Sequence, residues 1–369
     1  MKRSRWYPLA GVAVVASLAA ASLASALPEK QQLTKVTFQS KWVVQAQFAG
    51  YYAALAKGYY KQAGLDVTIR AGGPDIIPEQ VVLGGQAQFG TDWQGSLLAT
   101  RDKGGDIVNI GQVFQRSGTT EVTWRSSNIT SFCQFKGKKF GVWLGGNEFE
   151  QFSALRKCGI DPANKSQVEV VAQSFTMDEF LKKQVDGASA MTYNELAQVL
   201  ETKNPDTGKL YTLNDLRVYK YENLGTGMLQ DAIFVKGDWI KSPKNQATAR
   251  AFLQASFKGW IWCRDHYSDC VNIVLKNGPT LGRGHQTWQM NEINRLIWPS
   301  PQGVGVMRPA AAARTVAVAI QGKLITKKPT TWYRADLAKA AVASLRKQGV
   351  DVTGKRWKPA VVKITEGGK

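Results

Sequence analysis

The sequence predicts an α/β protein of two lobes, each a sheet flanked by helices. Short stretches of alternating apolar and polar residues are typical of strands, and the stretches between them have apolar residues at helical spacing. The pattern runs in two series, and a late strand is predicted to rejoin the first series. The chain has 369 residues, 44% of them hydrophobic, and is therefore long enough for two cores. A chain that crosses between lobes and returns is typical of proteins that close on a ligand by a hinge.

Residues 35–70 show this pattern most clearly. They predict a strand at 36–38, a helix at 48–55 and a second strand at 65–69. A strand, a crossover helix and a parallel strand form a right-handed unit, and ligands of open α/β sheets bind beyond the carboxyl ends of the strands. We therefore expect ligand-binding side chains directly after the predicted strands.

The rest of the chain continues in the same way. The next predicted elements of the first lobe are a helix from Pro78, a strand at 87–91, a helix around Leu97 and Leu98, and a strand at 107–113. Those of the second lobe are a strand at 139–143, a helix at 148–158, a strand at 168–171, a helix to Val185 with Thr176 and Glu179 as its capping box, and strands at 188–192 and 216–219. A strand at 232–235 then rejoins the first lobe, and a helix at 246–262 covers it.

These elements set the predicted domain boundaries. They are lobe one at 33–123 and 228–305, lobe two at 124–227, and carboxyl-terminal helices with a basic tail at 306–369. We expect the hinge near 123–126 and 224–227.

Residues 1–26 match a secretory signal peptide. Three basic residues within the first five positions precede an apolar run at 9–23, and Ala24-Ser25-Ala26 forms a cleavage site. The run of about 15 apolar residues is shorter than the roughly 20 that span a bilayer. We expect cleavage after Ala26 and a periplasmic or secreted mature protein.

The four cysteines predict two disulfide bonds, because an even number in an exported protein favours pairing. Of the three possible pairings we predict Cys133–Cys158, which bracket one strand-helix unit, and Cys263–Cys270, which close a short loop. Residues seven apart in an unbroken helix lie about 10.5 Å apart, so the second bond requires a helix break at 265–269. A zinc site is disfavoured because the chain has no C-x-x-C and only two histidines.

The net charge is +20, or +17 without the three basic residues of the signal peptide. The basic residues are spread along the chain, apart from a cluster at 355–369, which is typical of a solvated basic surface. Export argues against a nucleic-acid partner. We expect a monomer.

Three stretches carry a resemblance to a known family: KWVVQAQFAGYYAALAKGYYKQAGLDVTI, GGPDIIPEQVVLGGQAQFGTDW and KGKKFGVWLGGNEFE. Over roughly residues 35–300 the chain resembles periplasmic substrate-binding proteins related to those that carry thiamine pyrimidine precursors. That family also includes flavin, sulfonate and nitrate binders. The resemblance implies a type II periplasmic binding protein fold with a mostly parallel sheet in each lobe. It also implies delivery of a small heteroaromatic ligand to the permease of an ABC importer in the inner membrane.

A pyrimidine precursor is the expected ligand, and a flavin is the alternative because the predicted aromatic residues exceed the needs of one small ring. Aromatic faces stack on such rings with about 0.5 to 1.5 kcal/mol each beyond area burial. The predicted aromatic contacts are Trp42, Phe48, Tyr51, Tyr52, Trp93 and Tyr193. Trp42 and Trp93 lie in predicted turns, where binding residues are common, whereas Phe48 and Tyr52 fit a packed helix core equally well. A sulfonate or nitrate binder should depend more on arginine and helix N-termini.

Polar candidates lie at the same ends of the predicted strands. Gly145-Gly146-Asn147-Glu148 opens a helix, so its N–H groups can receive an oxygen or an anionic group, and the resemblance places this loop in the ligand site. Glu148, Asn194 and Glu195 are expected to accept hydrogen bonds from ring amines or amides, although a helix-start carboxylate also interacts with the helix dipole. Gln115 follows a predicted strand, and Asp231 precedes the returning strand.

The sequence shows no sign of catalysis or of a cofactor. Eukaryotic relatives that make the thiamine pyrimidine use a histidine and a cysteine-rich motif, whereas the histidines here are His266 and His285 and no cysteine-rich run exists. A G-x-S-x-G elbow and a metal-ligand cluster are also missing from the sequence. We therefore expect a binding protein. An exported enzyme of thiamine or pyrimidine metabolism is the alternative of a different class, and an extracytoplasmic sensory module is a third.

Overall fold

The computed structural model describes residues 32–369 together with residues 1, 2, 4 and 6. The apolar run and the predicted cleavage site after Ala26 lie outside the described residues. Within the described part of the chain, no helix has both the length and the apolar character needed to cross a membrane.

The alternating stretches of the sequence form strands in two separate sheets. In chain order the strands are β1 (Thr34–Gln39), β2 (Leu65–Arg70), β3 (Phe89–Asp92), β4 (Ile107–Gln112), β5 (Thr119–Trp124), β6 (Lys139–Val142), β7 (Glu169–Ala172), β8 (Gly187–Met191), β9 (Leu216–Lys220) and β10 (Ala232–Lys236). The first sheet has the order β2-β1-β3-β10-β4, and the second has the order β7-β6-β8-β5-β9. Each sheet is the centre of one lobe.

Both sheets are mixed, but four of the five strands in each point the same way, which confirms the expectation of a mostly parallel sheet in each lobe. In the first sheet β1 pairs in parallel with β2 and β3, whereas β10 is antiparallel to β3 and β4. In the second sheet β6 pairs in parallel with β7 and β8, whereas β5 is antiparallel to β8 and β9. The antiparallel strand of each sheet is the one that the chain forms on arriving from the other lobe.

Helices flank the sheets. They are α1 (Ala49–Ala56), α2 (Tyr59–Gln62), α3 (Pro78–Leu83), α4 (Gln94–Asp102), α5 (Phe149–Lys157), α6 (Asp178–Leu181), α7 (Glu195–Leu200), α8 (Tyr221–Leu224), α9 (Pro243–Asp265), α10 (Tyr267–Asn277), α11 (Arg283–Ile297), α12 (Pro309–Gln321) and α13 (Asp336–Lys347). Helix α9 packs on α1 and α13 in the first lobe. Helix α12 packs on both α4 and α5, and so contacts both lobes.

The strand-helix-strand unit at 35–70 and the return of β10 to the first sheet confirm the predicted order of elements. Strand β5 was not predicted, because its residues TTEVTW do not alternate between apolar and polar. Its threonine and glutamate side chains are buried instead. Since β5 belongs to the second sheet, the chain crosses at 113–118, before the predicted hinge at 123–126. It returns between β9 and β10, a stretch that contains the second predicted hinge at 224–227.

The capping box predicted from Thr176 and Glu179 is wrong. Helix α6 begins at Asp178 and ends at Leu181, before Val185, and its N-cap, Met177, makes no side-chain capping bond. Glu179 instead accepts hydrogen bonds from the backbone N and the hydroxyl of Ser174. The carboxylate thus closes the loop before the helix and leaves the threonine outside the cap.

Both predicted disulfides are confirmed. Cys133 and Cys158 are bonded with Cα atoms 5.1 Å apart, and Cys263 and Cys270 with Cα atoms 5.0 Å apart. The helix break that the second bond requires lies at His266, whose φ and ψ of −125° and 59° separate α9 from α10.

Candidate functional site

A cleft of about 790 Å³ lies between the two lobes. Its walls include segments that follow the carboxyl ends of β1, β2, β3, β6, β7 and β8, as expected for an open α/β sheet. Those of the first lobe include Lys41, Trp42, Gln45, Gln47, Glu79, Asp92 and Trp93. Those of the second lobe include Trp143, Gly145, Gly146, Asn147, Glu148, Phe175, Tyr193, Asn194 and Glu195.

An ion pair fixes the polar part of the first wall. Lys41 Nζ donates to Asp92 Oδ1 at 2.5 Å, and the backbone N of Trp93 donates to the same oxygen at 2.6 Å. Burial works against the charged ammonium, but the ion pair with Asp92 leaves the pKa of Lys41 above its usual value. The ammonium also lies 4.9 Å from the ring centroid of Trp93, within the range of a cation–π contact.

Glu79 is the second carboxyl group of the first wall. It is 2% exposed, and neither of its side-chain oxygens has a hydrogen-bond partner among the described residues. Burial, and then the nearby negative charge of Asp92, raise the pKa of Glu79 well above its usual range.

The glycine loop of the second wall is closed on itself. Gly145 and Gly146 have φ of 91° and 128°, which residues with a Cβ rarely adopt. Glu148 Oε2 accepts hydrogen bonds from the backbone N of Gly146 at 2.8 Å and of Asn147 at 2.9 Å. The loop lies on the cleft, but two of the N–H groups that were expected to receive a ligand oxygen are bonded to Glu148.

Glu195 is held by its own segment. It accepts hydrogen bonds from the backbone N of Met191 at 2.9 Å and from Asn194 Nδ2 at 2.7 Å. Burial raises the pKa of Glu195 to about 7. Asn194 Oδ1 lies 2.8 Å from His285 Nε2, and the other ring nitrogen of His285 contacts Glu201 at 2.9 Å. This series of contacts joins α7 of the second lobe to α11.

Aromatic rings approach the cleft from both lobes. Trp42 of the first lobe and Phe175 of the second have ring centroids 4.6 Å apart. Trp143 is held by a hydrogen bond from its Nε1 to the carbonyl oxygen of Ser174 at 3.0 Å. Tyr193 packs edge-on against Phe114, with ring centroids 6.3 Å apart. The cleft thus offers aromatic surface on both of its walls.

Five of the predicted site residues do not line the cleft. Phe48, Tyr51 and Tyr52 are buried in the core of the first lobe, where the ring of Tyr51 packs against Phe38 at 4.3 Å. Their helical spacing therefore reflects the face of α1 that packs on α9. Gln115 is buried and donates to the carbonyl oxygen of Gln112.

Asp231 lies behind the first wall. It is buried and accepts two hydrogen bonds from Gln47 Nε2, at 3.0 and 3.1 Å. Burial raises the pKa of Asp231 to about 7. The residue orients Gln47, which lines the cleft, but is not itself among the lining residues.

Several lining residues of both walls were not among the predicted site residues: Lys41, Gln47, Glu79, Asp92, Trp143 and Phe175. Lys41, Asp92 and Trp143 each lie within two residues of the carboxyl end of a strand, where ligand-binding side chains of an open α/β sheet are expected. Glu79 carries no such signal, because it occupies the first turn of a helix, where acidic residues are common. No group of three or more His, Cys, Asp or Glu residues suited to a metal ion occurs in the described part of the chain.

Comparison with known proteins identifies relatives of several kinds. The family model described as "NMT1/THI5 like" matches residues 45–268. The 4-amino-5-hydroxymethyl-2-methylpyrimidine phosphate synthase of Aspergillus parasiticus is 29% identical over 108 residues, which cover 29% of this chain and 32% of that protein. The putative binding protein YtlA of Bacillus subtilis is 22% identical over 290 residues, which cover 74% of this chain and 79% of that protein.

A third relative is the riboflavin-binding protein RibY of Chloroflexus aurantiacus, 26% identical over 158 residues that cover 41% of this chain and 45% of that protein. The matched segments thus span about a third of the synthase and less than half of RibY. Among solved structures, the periplasmic aliphatic sulphonate binding protein SsuA from Escherichia coli matches with a TM-score of 0.59 at 12% identity, covering 89% of this chain and 94% of that chain. The chain therefore has the periplasmic binding protein fold.

Proposed function

The chain belongs to the NMT1/THI5-like family, and from this we propose that it is an extracytoplasmic solute-binding protein that captures a small heteroaromatic ligand and delivers it to the permease of an ABC importer. The preferred ligand is a thiamine pyrimidine precursor. The ligand is bound between the lobes and released unchanged, so the protein acts without catalysis.

The chemistry of the cleft carries this proposal. Aromatic faces from both lobes can stack on a planar ring, and carboxylates on both walls can accept hydrogen bonds from ring N–H and amino groups. The described residues that line the cleft include no arginine. A sulfonate or nitrate needs cationic, often bidentate, donors, so these walls favour an N–H-bearing heteroaromatic ring over an oxyanion.

A flavin is the second candidate, and the size of the cleft favours it. The volume of about 790 Å³ exceeds the needs of one pyrimidine ring, and RibY, one of the relatives, is named as a riboflavin-binding protein. The synthase relatives favour a pyrimidine ligand. Because they are named as enzymes, an enzyme of pyrimidine metabolism is the alternative function. In this chain His285 contacts Glu201 and Asn194 and is not among the cleft-lining residues, which supports binding over proton transfer in the cleft.

The two crossings between the lobes supply the hinge. The first lies at 113–118 and the second between β9 and β10. Glu150 of α5 contacts both, because it accepts hydrogen bonds from the Ser117 hydroxyl at 2.7 Å and from the backbone N of Met228 at 2.9 Å. A ligand that contacts both walls stabilises the closed arrangement of the lobes, since only that arrangement presents both walls to it.

The test is thermal unfolding of the purified protein with aminopyrimidines, riboflavin and aromatic sulfonates, followed by mass spectrometry of the recovered ligand. A ligand at 100 times its dissociation constant adds about 2.7 kcal/mol of stability. We expect one heteroaromatic compound to raise the melting temperature and to be recovered unchanged, and we expect Trp42→Ala and Trp93→Ala to remove most of that shift.

Two results would contradict the proposal. Recovery of a chemically altered compound would favour the enzyme. A shift with sulfonates alone would show that the aromatic and acidic walls do not determine the ligand.

A further inference from the structure

Glu79 is in an unusual position for an acidic residue. It borders the cleft and is 2% exposed, yet both of its side-chain oxygens lack a hydrogen-bond partner in the described chain. A buried carboxyl group with no partner destabilises a protein, because water no longer solvates it. The other cleft carboxylates have partners: Asp92 accepts from Lys41, Glu148 from two backbone N–H groups and Glu195 from Met191 and Asn194.

The charged groups around Glu79 are bonded to other partners. Lys41 directs its ammonium at Asp92, at 2.5 Å, and Asp92 is itself an acceptor that also receives the backbone N–H of Trp93. Asp231, which lies behind these residues, accepts hydrogen bonds from Gln47. Burial and the adjacent Asp92 raise the pKa of Glu79 well above its usual range, whereas Lys41 lowers it. The carboxyl group therefore gains most from a donor that arrives with a ligand.

We propose that Glu79 is the specificity-determining residue of the cleft, and that it accepts a hydrogen bond from an amino group on the heteroaromatic ligand. The inference rests on the proposed binding function and narrows its ligand to amino-bearing rings. The Lys41–Asp92 pair has a positioning role, because it fixes the charge beside Glu79 without using its oxygens. A ring without the amino group leaves Glu79 buried and unpartnered, and so binds less tightly.

The alternative is a structural role, in which Glu79 carries a proton and donates it to Asp92 to hold that side chain in place. The two roles differ in the protein without ligand. A structural Glu79 stabilises the fold, so its removal lowers the melting temperature. A Glu79 that binds the ligand has no hydrogen-bond partner until the ligand arrives. Its replacement by an apolar residue of similar volume therefore leaves the melting temperature of the unliganded protein unchanged or raises it.

The test compares 4-amino-5-hydroxymethyl-2-methylpyrimidine with 5-hydroxymethyl-2-methylpyrimidine, which lacks only the amino group. Dissociation constants are measured by calorimetry for the wild type and for Glu79→Met, with Glu169→Met, at an exposed glutamate that does not line the cleft, as the control. We expect the wild type to prefer the amino compound by about tenfold or more, and Glu79→Met to bind the two compounds with similar affinity. Glu169→Met should retain both the preference and the melting temperature of the wild type.

The outcomes distinguish failure of the Glu79 subsite, meaning its proposed hydrogen bond to a ligand amino group, from failure of the proposed binding function. If the wild type binds both pyrimidines equally, or Glu79→Met retains the preference, only the subsite is wrong. A fall in the melting temperature of unliganded Glu79→Met also overturns it, in favour of the structural role. If riboflavin binds and neither pyrimidine does, the subsite is wrong and heteroaromatic binding survives. If none of the three compounds binds, both proposals fail.

Discussion

The two walls of the cleft differ in how their polar groups are held. On the first wall the contacts join distant parts of the chain: Lys41 pairs with Asp92, 51 residues away, and Gln47 with Asp231, 184 residues away. On the second wall the carboxylates are held by local contacts: Glu148 accepts hydrogen bonds from the N–H groups of the two residues that precede it. Glu195 likewise binds Met191, four residues earlier.

This difference has a consequence for function. The carboxylates of the second wall are bonded within their own loops, so we expect them to keep their positions when the lobes separate. The first wall depends on the assembled sheet and on the returning strand β10, since Asp231 directly precedes that strand. The first wall also contains Glu79, whose oxygens have no partner in the described chain. Its affinity for a ligand should therefore be more sensitive to substitution than that of the second wall.

Breaking the ion pair of the first wall should have the largest effect on stability. Lys41→Met leaves Asp92, whose side chain is 4% exposed, as a buried charge without its partner. Loss of one partner from a buried pair typically destabilises by about 3 to 5 kcal/mol, which urea unfolding measures. Lys182→Met is the control, because the Lys182–Asp178 pair is 62% and 61% exposed and should change stability far less. Equal effects of the two substitutions would show that the first wall does not depend on this pair.

The next largest effect should be the pH dependence of stability that arises from Glu150, which contacts both crossings between the lobes. Burial raises the pKa of Glu150 to about 8, from a usual value of 4.5. The native state therefore holds this proton more tightly than the unfolded state. The stability that protonated Glu150 contributes is fully present below pH 4.5 and is lost as the pH rises through about 8. The loss should amount to a few kcal/mol.

Glu150→Gln tests this prediction, because the amide can still contact Ser117 and Met228 but does not titrate. Its stability, measured by urea unfolding at pH 5 and at pH 8.5, should decline less over that interval than the stability of the wild type. Some decline should persist, since burial also raises the pKa of Glu195 and of Asp231 to about 7. The exposed residue Glu169 gives the control variant Glu169→Gln, which should follow the wild type. A decline in Glu150→Gln as steep as that of the wild type would assign the pH dependence to other groups.

The same contrast between local and distant contacts explains what the sequence could predict. The strand-helix-strand unit at 35–70 and both disulfides follow from patterns within one segment, and all of them are confirmed. Strand β5 could not be predicted from its own segment, because its two neighbours, β8 and β9, lie more than 60 residues later in the chain. Pairing with them buries the polar residues of β5.

The site shows the same limit. The loop from Gly145 to Glu148 could be placed on the cleft from its glycines and its position after a strand. Periodicity, however, does not reveal which neighbour a helix face packs on, so Phe48 and Tyr52 could not be told from cleft residues until the position of α9 was known. Glu79 could not be found because its importance lies in the partners it lacks, and a sequence does not show partners.

A smaller effect is expected at the second wall. Glu148→Ala removes the acceptor of the Gly146 and Asn147 N–H groups, which lie near solvent and can bond to water instead. Stability should fall by about 1 kcal/mol, measured by urea unfolding. Glu148→Gln should recover most of the loss, because its amide oxygen can accept in the same position. A loss as large as that of Lys41→Met would mean that the second wall is as dependent on a single charged residue as the first.

The smallest effect should come from the basic tail, which contacts the second lobe away from the cleft. Lys203 pairs with Glu366 at 2.6 Å, but the side chains are 51% and 62% exposed. The backbone N of Gly367 also donates to the carbonyl oxygen of Glu201 at 2.9 Å, and this bond does not depend on charge. Glu366→Gln should therefore lower stability by less than about 1 kcal/mol, and 0.5 M salt should have no larger effect on the wild type than on the variant. A larger, salt-sensitive loss would show that charge holds the tail, and that this contact resembles the first wall more than the second.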